Sequence, residues 1–460
     1  ASDVPIWAHE KFCDELHRTY MLSRGMFRRG AKQFGYGLPA GSVQTGCIGP
    51  PLQMDSGIVP PIKMPTHTVA DVAELEIGGV RIELHAAPGE TADHLFIWLP
   101  DERILLAGDN IYRAFPNLHA IRGVPPRPVA TWIDSLDRMR RLQPRPEHLV
   151  LGHTEPVTGA DEIHTLLTDY RDAIAFVHDS VVRMINQDCT PDEMVRAIRL
   201  PPRLRDHPYL QEMYGTIAGA VRGIFAGYMG WFDGSATNLQ PLPADEMGQR
   251  LIALAGGRRR LTGAIDAALA TGDTQWATWL AHHLHAAEPN YPRAANQTAM
   301  GLRDLARQTA NPLFKNWYLS EAAEVAAGKA IVGEPPFDSR TIADVPIELL
   351  MSILPQRLDP RASAKVVATY ALEFTDLGQM FTFFVRRGVG EVVAHACGDP
   401  DLLIRTTAAN FKRAIVAGEV SKLSREFWQN LELVVPGPAA TAPFRKLRRL
   451  AQFGRILNRA

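Results

Sequence analysis

The spacing of hydrophobic and polar positions changes period several times along the chain, and each change predicts an element. "VPIWA" (4–8) reads as a short strand, and Glu10 to Arg29 repeats apolar residues at helical spacing. From Lys32 to Pro65 neither period holds, and Gly and Pro dominate "GYGLPAGSVQTGCIGPPLQMDSGIVPP". This predicts a long surface loop, and loops of that length usually serve as lids or substrate-binding walls. Between Thr68 and Gly108 the pattern is β. "HTVADVAELEIGGVRIELHAA" predicts a hairpin about Gly78-Gly79, and "HLFIWLP" and "ILLAG" predict two further strands. Helical spacing returns at 128–143, a buried strand "HLVLG" follows at 148–152, and 160–197 is helical again. Thr190 and Glu193 stand there at the two positions of a capping box. Strands, helix and strand in this order fit a layer of an α/β sandwich.

After "LPPRLRDHPYL" come paired Ala-rich segments such as "GAIDAALATG" and "TQWATWLAHHLHAAEP", repeating to about residue 331. They resemble tetratricopeptide-like helical hairpins, which bury faces against one another and often build dimers. "VGEPPFDSR" is a linker, and the remainder is α+β, with strand alternation at 379–397. A chain of 460 residues exceeds a single core. The expected domains are 1–200, 201–335 and 336–460.

Composition narrows the function. With 46% hydrophobic and 22% charged residues and a net charge of −1, nothing electrostatic favours nucleic acid or an anionic membrane as partner. No apolar run approaches a membrane span. Cys13, Cys47, Cys189 and Cys397 lie far apart without a CxxC pair, and are expected as buried thiols. The opening "ASDVPIWAHEKF" carries no signal-peptide pattern, and the compartment is left open.

The chemistry gathers at three Gly-preceded polar residues: Glu90 in "PGE", Asp109 in "LLAGD" and His153 in "LVLGH". Each alone reads first as a turn or strand cap. Together, after separate apolar segments, they form a carboxylate–carboxylate–imidazole set suited to a borderline metal such as zinc, with one carboxylate able to bridge two ions.

This order resembles the metallo-β-lactamase superfamily, whose later motifs run strand-"PGHT", strand-"GD", helix, strand-"GH". The closer resemblance is to its alkylsulfatase branch, in which a Glu replaces the "PGHT" histidine. "NLHAIRG" (117–123), "YGTIAGAVRGIFAGYMGWFDGSATNLQPLP" (214–243) and "NPLFKNWYLSEAAEV" (311–325) also resemble that branch, the second block most specifically. The resemblance implies the C-terminal part of a metallo-β-lactamase αββα sandwich, then an all-α dimerisation domain and an α+β sterol-carrier-like domain. It implies two divalent metal ions, expected as zinc. Glu90 would bind the first, Asp109 would bridge, and His153 would bind the second. Arg122 falls on the arginine that holds sulfate oxygens, assisted by Asn117. Some positions depart from the branch. "YRAFPN" stands where it has "HTxHN", Pro or Arg127 stands at its proton-donor histidine, and "HTEPVTG" replaces "HHWPxWG".

The superfamily's HxHxDH motif does not occur in these 460 residues. "HEKFCDELH" and "HHLH" have unsuitable spacing or context. The expected partners are therefore an N-terminal half-domain bearing HxHxDH, as a separate subunit or cleaved fragment, and a second copy of this chain joined through the helical domain. Two functions of different class follow. One is a dinuclear metallohydrolase of the alkylsulfatase type, with Asp109 and Arg122 in catalysis, acting on a small amphiphilic ester. The other is a non-catalytic dimeric scaffold or lipid carrier with a relic metal half-site.

Overall fold

The structure, a computed structural model, describes residues 4–21, 25–39, 41–42, 49, 61–332, 340–417, 431–434, 450, 452–454 and 457. Most of the Gly- and Pro-rich stretch expected as a loop, residues 40, 43–48 and 50–60, lies outside them. The first part contains β1 (Trp7–His9), α1 (Phe12–Leu16), α2 (Gly25–Phe34), β2 (His67–Val69), β3 (Val72–Ile77), β4 (Val80–Ala86), β5 (Leu95–Leu99) and β6 (Ile104–Gly108). It continues with α3 (Val129–Arg140), β7 (His148–Leu151), β8 (Val157–Thr158) and α4 (Ala160–Ile185). The single helix expected over Glu10–Arg29 is instead divided into α1, a π-helical turn at His17–Met21, and α2. Glycine is a poor helix former, and α2 begins at Gly25.

Strands β3 to β8 make one six-stranded sheet in sequential order. Its pairings are antiparallel except β6 with β7, which is parallel. A parallel pair needs a crossover, and α3 supplies it. Alternation puts Phe96, Trp98, Leu105, Ala107, Leu149 and Leu151 on one face. Trp132, Leu136 and Met139 of α3 and Leu167, Tyr170 and Ile174 of α4 cover that face. Each large side chain buried there contributes about 1.5–3 kcal/mol. A one-residue slip would turn the apolar set outward, so this face fixes the register that delivers the strand ends to the site.

Next come α5 (Pro191–Ala197), α6 (Pro202–Arg205) and α7 (Ile217–Met229). The capping box at α5 is formed: the Glu193 N–H donates to Thr190 Oγ1 (3.3 Å), and the Thr190 N–H donates to Glu193 Oε2 (2.8 Å). Helix α7 packs Ala220, Val221, Ile224 and Phe225 into the same core as the sheet. The hairpins are α8 (Ala244–Leu254), α9 (Arg258–Ala270), α10 (Thr274–Ala287), α11 (Pro292–Gln308) and α12 (Pro312–Ala327). They close around Leu261, Ile265, Leu280 and Leu284. Helix α12 returns to α2 through the Lys32–Glu324 ion pair and a bond from Asn316 Nδ2 to the Gln33 carbonyl (3.2 Å).

The last part holds α13 (Ile347–Ser352), β9 (Val367–Phe374), β10 (Gln379–Arg386), β11 (Val389–Val393), β12 (Leu402–Thr406), α14 (Ala408–Ala417) and β13 (Glu432–Val434). Its sheet runs β11-β10-β9-β12-β13 over a core that includes Tyr370, Phe374 and Phe383. The alternation at 379–397 is β10 and β11, and the flanking segments add β9 and β12 rather than helices alone. Among the described residues no helix is long and apolar enough to cross a membrane. Cys13, Cys189 and Cys397 are free and partly exposed rather than buried, because Cys13 sits at a helix start and the other two in irregular connections. Cys47 lies outside the described residues.

Candidate metal centre

The turn after β4 is pinned by the residue that follows Asp109. Asn110, fully buried, accepts the Glu90 N–H at its Oδ1 (2.9 Å) and donates from Nδ2 to the Ala87 carbonyl (2.8 Å). Its own carbonyl accepts the indole N–H of Trp132 (3.0 Å), and Ser135 Oγ donates to the Pro88 carbonyl (2.9 Å). A side chain at Gly89 would strike Asn110 and the Trp132 ring, so "PGE" requires its glycine. Helix α3 thus holds the PGE turn against the end of β6.

Because β6 and β7 run parallel, their C-terminal ends open on the same sheet edge. The pairing is irregular between Leu106 and Gly108, and such bulges re-aim the following side chain. The Gly152 N–H donates to the Gly108 carbonyl (3.0 Å), and His153 Nε2 lies 3.2 Å from Asp109 Oδ1. His153 has φ 65°, a left-handed conformation that costs a non-glycine residue about 1–2 kcal/mol. Strain of this kind concentrates at functional sites. The hydrogen bond between the two side chains holds the Asp109 carboxyl below its ordinary range and raises the His153 imidazole, in both cases against burial. Behind them His94 accepts the Asp109 N–H at Nε2 (3.1 Å). Burial lowers its pKa despite the nearby carboxylates of Glu90 and Asp109, and its buried Nδ1 has no hydrogen-bond partner.

Glu90 takes a different partner. Its carboxylate is ion-paired with the Arg127 guanidinium, which also donates to the Asn117 carbonyl. The expected set is therefore brought together in part: Asp109 meets His153, while Glu90 meets Arg127. Arg122 lines a cleft of about 300 Å³ with Glu90, Arg127, Asp93, Glu15 and Arg18. Its Nη1 is buried without a hydrogen-bond partner. Asn117 is buried, its N–H donates to the Tyr112 hydroxyl (2.7 Å), and its side-chain Nδ2 is likewise unpartnered. Asn110, His94 and Arg127 were not among the expected site residues. Only "GDN" itself and the position of Arg127 after "IRG" pointed toward two of them.

The donors fit a divalent ion in part. A carboxylate and an imidazole face each other, both nearly half exposed, and Glu90 is near enough for its charge to raise His153. Among the described residues, however, no three His, Cys, Asp or Glu side chains form a group that could hold a metal ion. By themselves these residues do not make a closed ligand set.

Two family models match: "Metallo-beta-lactamase superfamily" over residues 1–153 and "Alkyl sulfatase dimerisation" over 190–328. A linear primary-alkylsulfatase of Pseudomonas sp. is 34% identical over an alignment of 373 residues that covers 78% of this chain and 70% of that relative. An (R)-specific secondary-alkylsulfatase of Pseudomonas sp. is 29% identical over 406 residues, covering 85% of this chain and 59% of the relative. Among solved structures, the stereoselective inverting sec-alkylsulfatase Pisa1 from Pseudomonas sp. superposes with a TM-score of 0.87 at 25% identity. That superposition covers 99% of this chain and 71% of the other. The family model and the relatives define a class, the metallo-β-lactamase superfamily of metal-dependent hydrolases, whose members use divalent metal ions. Within it, the chain belongs to the alkylsulfatase branch.

Proposed function

We propose that the protein hydrolyses an alkyl sulfate, or a related ester with an apolar tail, in a metal-dependent reaction. The observation that carries this reading is the Asp109–His153 pair, built at one sheet edge by a left-handed His153 and a glycine whose side chain would collide with Asp109. When bound, a divalent metal pair, proposed as zinc, supplies Lewis acidity toward water and the anionic ester. Asp109, with two carboxylate oxygens, would serve both ions, His153 would serve one and Glu90 the other. The remaining ligands would come from an N-terminal half-domain bearing HxHxDH, as a separate subunit or a cleaved fragment.

Arg122 recognises the anionic head group. A guanidinium suits planar, bidentate contact with oxyanions, Arg122 lines the cleft, and its buried Nη1 has no hydrogen-bond partner. The Asn117 Nδ2 is also buried and unpartnered, and is proposed to assist. The domain division at 1–200, 201–335 and 336–460 assigns hydrolysis to the first unit, two-fold self-association to the second, and accommodation of apolar chains to the sterol-carrier-like third.

Metal analysis of variants tests the assignment. Asp109→Asn should disturb both ions, and His153→Ala mainly one. Arg122→Ala should leave metal content intact and raise the KM for an anionic substrate. Unchanged metal content in Asp109→Asn and His153→Ala alike would mean that these residues are turn caps.

A further inference from the structure

One helix holds the backbone of Arg122. Arg29 of α2 donates from Nε to the Arg122 carbonyl (2.6 Å) and from Nη2 to the Ile121 carbonyl (2.5 Å). One helical turn further on, the fully buried Gln33 accepts the Arg122 N–H at Oε1 (3.2 Å). The side chain of Arg122 then runs over the same helix. A Cβ at Gly30 would touch its Cδ at 3.6 Å, and its guanidinium carbon lies 5.9 Å from the centroid of the Phe34 ring. Helix α12 braces α2 in turn. Asn316 Nδ2 donates to the Gln33 carbonyl (3.2 Å), Glu324 pairs with Lys32, and the Arg29 guanidinium lies 5.2 Å from the centroid of the Trp317 ring. Phe34 of α2, Ile121 of the loop and Leu313 of α12 pack into one apolar cluster with Tyr112 and Tyr214.

We infer that Arg29 and Gln33 are positioning residues for Arg122, and that α12 fixes them through α2. This rests on the reading of Arg122 as the head-group residue and deepens it. A guanidinium recognises an oxyanion through a directional fork, so its contribution depends on how firmly its own backbone is held. The Ile121–Arg122 segment cannot shift without breaking three bonds to α2, two of them donated by a charged group and therefore strong. Helix α12 lies within residues 190–328, the segment that matches the dimerisation family. Whatever orders that segment therefore also orders the arginine of the cleft.

The test uses the full chain with EDTA present throughout, so that no ester is turned over. Hydrogen exchange read by mass spectrometry over residues 118–124 reports how firmly the loop is held. Calorimetric titration with hexyl sulfate reports head-group binding, and thermal melts confirm folding. Arg29→Met and Asn316→Ala attack the brace from its two ends, and each should quicken exchange in the loop. Arg29→Met should weaken hexyl sulfate binding by at least about fivefold, and should add nothing on an Arg122→Ala background, because residues that act through one another are not additive. Three results would overturn the inference. They are unchanged exchange in either variant, quickened exchange with wild-type affinity in Arg29→Met, or a further loss on the Arg122→Ala background, which would mean that Arg29 attracts the anion itself. Failure of the head-group reading looks different: wild type and Arg122→Ala would bind hexyl sulfate alike, or not at all, while exchange still quickens in Arg29→Met and Asn316→Ala.

Discussion

Replacing Asn110 with Ala should loosen the PGE turn from the end of β6. The change removes one acceptor and one donor, which serve the Glu90 N–H at 2.9 Å and the Ala87 carbonyl at 2.8 Å. Ala87 is fully buried, so its carbonyl cannot turn to water. An orphaned buried group costs about 1–3 kcal/mol, and the more accessible Glu90 N–H should add about 1 kcal/mol. The sum is about 2–4 kcal/mol. For a folding unit of roughly 200 residues, each kcal/mol moves Tm by about 2–4 °C, so the first-domain transition should fall by about 4–16 °C. Asn110→Asp keeps the acceptor for Glu90 but turns a carboxylate oxygen toward the Ala87 carbonyl and adds negative charge beside Glu90. Its loss should be at least as large. Differential scanning calorimetry of the full chain reads both, and near-UV circular dichroism follows the packing of Trp132. A transition within about 1 °C of wild type for Asn110→Ala would refute the claim that this side chain joins the two ligand-bearing segments.

Other outcomes follow from the same structure. Burial lowers the pKa of His9, His85, His94, His119, His207 and His285, so the unfolded chain takes up protons first as pH falls through about 6.5. His153, raised by Asp109, contributes with the opposite sign, because its stabilisation is lost as pH rises. Thermal stability should therefore decline from pH 7.5 to 5.5, and a flat or rising profile would contradict this balance. Trp276 and Trp279 stack at 5.3 Å on α10 while both remain exposed, within the segment that matches the dimerisation family. If they are buried between two copies of the chain, Trp276→Glu/Trp279→Glu should give a folded monomer in sedimentation. An unchanged dimer would move the interface elsewhere. Gly152→Ala places a methyl group against Asp109 Oδ1, and should lower metal affinity at the Asp109–His153 side while leaving the helical hairpins folded.

The sheet and its helices were legible because burial of one face imposes a period that local sequence carries. "HLFIWLP", "ILLAG" and "HLVLG" became β5, β6 and β7, and the Thr190/Glu193 box closed as written. The strand ends were legible for the same reason, since Asp109 and His153 each follow a strand and a glycine. Glu90's partner was not, because Arg127 lies 37 residues away and nothing in a local period encodes that contact. Asn110 follows "GD" and looks like an ordinary turn residue until the fold sets it beneath Glu90. The split of α1 from α2 escaped too, because helical spacing continued through a stretch whose backbone turns π-helical at His17–Met21.

The central claim is metal-dependent ester hydrolysis at the Asp109–His153 edge. It is tested most directly by measuring sulfate released from a linear primary alkyl sulfate. The measurement compares full-length protein, the same protein after chelation and metal return, and Asp109→Asn. The account predicts release that chelation abolishes and metal restores, and that falls by at least about a hundredfold in Asp109→Asn, a loss of roughly 2.7 kcal/mol in transition-state stabilisation. Release that persists unchanged in Asp109→Asn or in the chelated protein would contradict it.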